Sequence, residues 1–288
     1  MTTASPRRVS LNFLGLIPFF AVAVLFLALP VSFLVIGSFQ DEAGNGTLQN
    51  YRDLSTPLIV NAFRNSIEVS LVTALLGGVF GFLLAYAVIL GGLPRFLRSA
   101  LMTFSGVASN FAGVPLALAF IFTMGQAGFV TRILERTFGL DLYGAGFNLY
   151  TKLGIEIVYL YFQFPLMVLI IGPAIEGLRK DWREAAENMG ATPAQYWRYV
   201  ALPVLTPSIL GTIILLFGNA FGAQATAFQL TGGTINLVPI IIGAQIRGDV
   251  LHNTGLGYAM AMGMVVIMAV SIAVYSWLQR LSERWLRS

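Results

Sequence analysis

Residues 176–207 read EGLRKDWREAAENMGATPAQYWRYVALPVLTP and lie between two long apolar runs. The stretch is too charged for the hydrocarbon layer of a membrane, where an ionised side chain at the centre of a helix costs at least ~2.5 kcal/mol. Its punctuation predicts two short helices. Asp181, with Glu184 three residues on, has the pattern of an N-cap and its capping box. Trp182, Ala185, Ala186 and Met189 recur at helical spacing as an apolar stripe. Gly190 supplies the left-handed residue that ends such a helix. Thr192, Pro193 and Gln195 repeat the N-terminal pattern, with proline in the first turn. Trp197, Val200 and Ala201 form the next stripe, and Pro203 is expected to end or kink this second helix. The expectation is a knob of two short helices, near a right angle, held at a membrane face. A plain connecting loop is the alternative.

Outward from this stretch, composition sets the class. The 288 residues are 57% hydrophobic and 10% charged, against about 25% charged in soluble domains. Thirty glycines and 12% aromatics suit close helix packing in lipid. No cysteine is present, which removes disulfides, thiol nucleophiles and Cys-based metal sites. The formal charge of +4 does not imply nucleic acid, because the basic residues flank apolar runs and form no single stripe.

Six runs are long enough to span a membrane, which takes about 20 apolar residues: about 14–39, 65–90, 101–124, 153–175, 204–229 and 255–278. The first is longer than a secretory signal's apolar region and is read as an uncleaved span. Gly106, Gly113 and Pro115 interrupt the third. Val130, Ile133, Leu134 and Phe138 predict a short amphipathic helix after it. The apolar part of 237–246 is a candidate re-entrant segment. The fold class is therefore all-α: a polytopic membrane protein with six transmembrane helices in a single domain, 1–288, with 176–203 as a polar loop.

Lys and Arg counts set the orientation. With the N-terminus inside, one side holds Arg7, Arg8, Arg95, Arg98, Arg179, Lys180, Arg183, Arg198, Arg280, Arg284 and Arg287. The other holds Arg52, Arg64, Arg132, Arg136, Lys152 and Arg247. The heavier side is read as cytoplasmic, with both termini and the 176–203 loop inside.

Glu184-Ala185-Ala186, three residues, Gly190, then Leu202-Pro203 resembles the EAA loop of permease subunits of binding-protein-dependent type I ABC importers. The resemblance covers the chain from about Leu14, most strongly Trp182 to Pro207. It implies the MetI-like permease fold and a bacterial cytoplasmic (inner) membrane location. It implies that Glu184, Ala185, Ala186, Gly190, Ala191, Leu202 and Pro203 couple the chain to an ATPase, with Glu184 facing a basic residue of that partner. The partners implied are two ABC ATPase subunits, a second permease subunit, identical or not, and a periplasmic or lipid-anchored substrate-binding protein that meets the outer segments, including 125–152. ATP and Mg²⁺ would be held by the ATPase. The chain itself has no GxxxxGK phosphate loop, one histidine (His252) and no metal-ligand spacing, so no catalytic residue, cofactor or metal is expected in it. Met189-Gly190-Ala191 and LTGGTINLVPIIIGAQIRGDV (residues 230–250) resemble the polyamine, ferric-iron, thiamine and phosphonate subclass, with Val238-Pro239 where Leu-Pro is usual.

Polar residues inside spans face cavities or partners, which makes Glu68, Glu156, Gln163, Asn219 and Gln224 the candidate translocation path. For Asn219 and Gln224, hydrogen bonding between helices is an equal explanation, and for Glu68 and Glu156, near span ends, so is a place in the headgroup layer. Tyr159, Tyr161 and Phe162 read as packing residues. Three other readings remain at this stage: a sugar-type importer permease, an ion-coupled carrier, and a membrane protein of purely structural role.

Overall fold

A computed structural model describes residues 16–247 and 252–284. Arg7, Arg8, Asp249, Trp285 and Arg287 lie outside them. The helices in order are α1 Ile17–Ser38, α2 Gln49–Asp53, α3 Pro57–Leu90, α4 Arg95–Asn110, α5 Gly113–Met124, α6 Phe129–Phe138, α7 Lys152–Glu176, α8 Lys180–Asn188, α9 Pro193–Gly222, α10 Gln224–Thr231, α11 Val238–Arg247 and α12 Thr254–Arg284. A single antiparallel bridge, Gln40 to Gly46, is the β pairing among the described residues. Among the described residues, six stretches are long and apolar enough to cross a membrane: α1, α3, Gly113–Phe138, α7, α9 and Thr254–Arg280.

Three boundaries differ from the sequence reading. The second span begins at Pro57 rather than near Asn65, because the polar residues Asn61 and Arg64 fall within the helix that Pro57 opens. The expected third span 101–124 is not one helix. It stops at Asn110, turns through Phe111 and Ala112, and restarts at Gly113 with φ +74°. That conformation is open to glycine and strained for a residue with a Cβ. The fifth span begins at Pro193 and breaks at Ala223, after which α10 runs separately.

Pro57–Ile241, with the helix from Met264 on, forms one packing unit. Its centre is α3 against α7 and α9, and small residues on α3 set the approach. A Cβ added to Gly77 would lie 2.7 Å from the Gln163 Cβ. At Gly81 it would meet the Met167 Cβ at 2.6 Å and the Phe164 carbonyl oxygen at 2.9 Å. At Gly78 it would meet Ile213 at 2.8 Å. Gly77 and Gly81 share one face at i, i+4, turned to α7, while Gly78 is turned to α9. Lipid tails are as apolar as leucine, so close van der Waals contact has to hold helices together in a bilayer. Around this seam Ala74, Ala85, Met167, Ile171, Leu205 and Leu216 are buried together. A second cluster gathers Leu116, Ile155, Tyr159, Phe162, Ala227 and Leu230 around the restarted helices.

The other unit comprises the described residues up to Thr56 together with Ile242–Gly263. There buried Asn50 donates to the carbonyls of Ser38 (3.1 Å) and Gln40 (2.8 Å), and Ser38 Oγ meets the Tyr51 hydroxyl at 2.8 Å. Asn253 Oδ1 accepts the Leu256 N–H at 2.9 Å, which caps α12. α1 is exposed over most of its length as far as Ile36, and its last residue, Ser38, is buried.

Candidate functional site

Two places gather the residues singled out from sequence. The first is the polar stretch between α7 and α9. Its helix α8 starts after Arg179, two residues earlier than an Asp181 cap requires, and no side chain caps it. Asp181 sits instead in the first turn, where an acidic side chain suits the helix dipole, and pairs with Arg179 at 2.7 Å. The Asp181–Glu184 capping box is therefore absent. Arg183 Nε donates to Glu187 Oε1 at 2.8 Å. This bond and the carboxylate's charge raise the Arg183 pKa further above its ordinary value.

The C-terminal end of α8 follows the sequence closely. Gly190 has φ +80°, its N–H bonds to the Glu187 carbonyl, and the Ala191 N–H reaches back to Ala186. That pair of bonds is a Schellman closure and satisfies carbonyls the helix end leaves free. Thr192 then forms the expected box: Gln195 Oε1 accepts the Thr192 N–H at 2.7 Å, and Thr192 Oγ1 accepts the Gln195 N–H at 3.3 Å. The second helix is not short, however. α9 passes Pro203 without ending and continues to Gly222, and its early turn Trp197–Ala201 is a π-turn. The two short helices of the sequence reading are one short helix and the first turns of a long one.

The apolar stripe of α8 divides in two. Ala186 is buried with Tyr196 and Ala201, under Leu178, Ala191 and Val200. Trp182 and Met189 are exposed, Met189 by 82%, and Ala185 is exposed as well. Exposed Glu184 lines a groove of about 370 Å³ with Tyr86, Leu90, Lys180, Arg183 and Trp197. Leu202 and Pro203 are exposed on α9. The Tyr86 and Trp197 rings meet edge to face at 4.9 Å, which ties the stretch to the end of α3. An Arg98–Glu176 ion pair ties its beginning to α4.

The second place is a cavity of about 570 Å³ where the two helix breaks face each other. Ser109, Gly113, Asn219, Gly222, Gln224 and Thr226 are among its lining residues. Thr226 fastens the breaks together: its Oγ1 accepts the Gly113 N–H at 2.8 Å and donates to the Gly113 carbonyl at 3.2 Å. The Tyr159 hydroxyl donates to the carbonyl of Ala223 at the other break. No Asp, Glu, Lys, Arg or His is among the lining residues.

The structure thus brings Asn219 and Gln224 together and leaves the other three path candidates elsewhere. Glu68 pairs with Lys152, and Glu156 lies in the field of the same pair. Gln163 is wholly enclosed. Its Nε2 donates to the Leu216 carbonyl at 3.0 Å, and its Oε1 has no partner. It clamps α7 to α9 and lines no cavity described above. Sequence reasoning passed over Ser109, Thr226 and the Tyr159 hydroxyl. Only the glycine at 113 hinted at them, since a left-handed residue in an apolar run marks a break.

Residues 7–288 match the family described as binding-protein-dependent transport system inner membrane component. The sulfate transport system permease protein CysT of Salmonella typhimurium is 30% identical over 235 residues, covering 81% of this chain and 79% of that protein. The spermidine/putrescine transport system permease protein PotB of Haemophilus influenzae is 29% identical over 279 residues, covering 92% and 91%. Among solved structures, a chain of a bacterial ABC transporter that imports the acidic polysaccharide alginate superposes with a TM-score of 0.69 at 17% identity, covering 95% of each chain.

Proposed function

The chain belongs to the family of binding-protein-dependent transport system inner membrane components, and from that membership we propose how this permease subunit works. It is a multi-pass membrane protein whose α8 faces the cytoplasm and meets an ATPase subunit, with ATP and Mg²⁺ held on that partner. Two such ATPases, a second permease subunit and an outer-side binding protein complete the importer. The ion-coupled carrier and the purely structural protein fall away with the family assignment.

The observation that carries the coupling reading is the divided stripe of α8. Ala186 anchors the helix to its own chain, while Trp182, Ala185 and Met189 leave an apolar face uncovered beside Glu184. An exposed apolar strip with a charged rim fits a protein partner. A short helix fixed at both ends is a rigid lever, able to pass on a discrete movement.

The solute enters through the cavity between the helix breaks. Met189-Gly190-Ala191 resembles the polyamine, ferric-iron, thiamine and phosphonate subclass, which spans cations and an oxyanion. We favour a small oxyanion, such as the sulfate named for the CysT relatives. The lining offers neither a carboxylate to a cation nor a cationic side chain to an anion, so either ion carries a desolvation cost there and the neutral donors decide the preference. Amide and hydroxyl donors from Asn219, Gln224 and Ser109 suit an oxyanion's acceptor oxygens. The test is uptake of radiolabelled sulfate and of radiolabelled putrescine by cells expressing the whole importer, with Asn219→Asp and Gln224→Glu variants beside the parent. Sulfate uptake that falls in both variants is expected. Putrescine uptake in the parent, enhanced by the added carboxylates, would overturn the oxyanion reading and leave the permease assignment standing.

A further inference from the structure

We infer that Pro203 is a positioning residue: it holds the Trp197–Ala201 turn in π form and so sets the rotation of the α8 knob about the axis of α9. The inference rests on the coupling reading only for its consequence, not for its geometry.

The geometry is local. In a continuous α-helix the N–H of residue 203 would bond to the Tyr199 carbonyl. Proline has no N–H, and its ring collides with that carbonyl. The turn before it is widened: the Leu202 N–H reaches past Arg198 to the Trp197 carbonyl. The same arrangement occurs in α1, where Val24–Ala28 is a π-turn and the Leu29 N–H reaches the Val24 carbonyl, directly before Pro30. These two π-turns are the ones found among the described residues, and each ends at a Leu-Pro pair. Pro207, one turn further along α9, sits in regular α-helix. Proline therefore does not suffice, and at 203 packing supplies the rest. Ala201 is fully buried on Ala186 and Tyr196, with Trp197 and Val200 alongside, while Tyr199 is pushed outward to 67% exposure.

A π-turn holds one residue more than an α-turn. If it relaxed to α form, everything before it would rotate by about 100° relative to the rest of α9, the angle of one residue at 3.6 per turn. Trp197 would leave Tyr86, and the uncovered face of α8 would be turned away from its present direction. Such π-turns recur at functional sites. Here the extra residue aims a lever.

The chain has no cysteine, so introduced pairs are unambiguous. Tyr86→Cys with Trp197→Cys is treated with a short bis-maleimide, which adds one cysteine thiol across each of its two C=C bonds, in the purified full-length chain. The parent background is expected to cross-link. Pro203→Ala, and separately deletion of Tyr199, are each expected to lose the cross-link, and the two changes together to regain it. Pro207→Ala is expected to keep it. A cross-link that persists in Pro203→Ala, or that is not regained in the combination, overturns the inference. Because the combined variant must recover the signal, general misfolding cannot imitate the result. Solute-stimulated ATP hydrolysis by the reconstituted importer is then measured for the same variants, without the cysteines. Loss in each single change and recovery in the pair is expected. Register that shifts while stimulation stays unchanged would leave the π-turn assignment intact and sink the coupling reading instead.

Discussion

Removing the Thr226 hydroxyl should show how much the join between the two helix breaks contributes. Thr226 is 2% exposed, and its Oγ1 both accepts from and donates to the backbone of Gly113. Thr226→Val keeps the branched shape and deletes both bonds. Two neutral hydrogen bonds contribute about 1 kcal/mol each, and a buried N–H left without a partner costs about 1–3 kcal/mol. The Gly113 N–H borders the cavity, where water can replace part of what is lost, so the expected destabilisation is about 2 kcal/mol. That is roughly a thirtyfold change in the folding equilibrium. Thr226→Ser keeps the hydroxyl and deletes one methyl, for about 1 kcal/mol. The assay is titration of the purified chain from mild detergent into SDS, followed by the fluorescence of its four tryptophans. A valine variant within about 0.5 kcal/mol of the parent, or a serine variant as damaged as the valine one, would refute the clamp.

Three further outcomes are expected. Gly81→Ala should cost about 1–3 kcal/mol, because its Cβ would lie 2.6 Å from Met167 and 2.9 Å from a backbone oxygen; the same SDS titration measures it. Gly190→Arg should leave membrane insertion intact and release the ATPase, since φ +80° is strained for arginine and the bulky side chain falls beside the exposed face of α8; stoichiometric co-purification of the ATPase would count against this. Glu184→Lys should lower solute-stimulated ATP hydrolysis without changing the yield of the chain, and full stimulation would reduce Glu184 to a groove-lining surface charge.

Much of the fold is legible before any coordinates. Hydropathy places six crossings because a spanning helix must satisfy its own backbone bonds and present apolar side chains over about 20 residues. The end of α8 and the start of α9 are legible for a similar reason: Gly190, Thr192 and Gln195 act within five residues of one another. Asp181 was misread because a run of polar residues offers several starting points for a helix. Pro203 does not end its helix, because a widened turn can absorb a proline that an ideal turn cannot.

By itself the sequence determined the class of molecule, the number of crossings and the chemistry of the connecting knob, since each depends on neighbours along the chain. The facing breaks at Ala112 and Ala223, the Thr226–Gly113 clamp across 113 residues, the enclosure of Gln163 and the splitting of the α8 stripe were decided only in three dimensions. Each is a contact between helices whose separation and rotation are set by glycine seams and by the packing of buried side chains, and no local pattern of residues records either quantity.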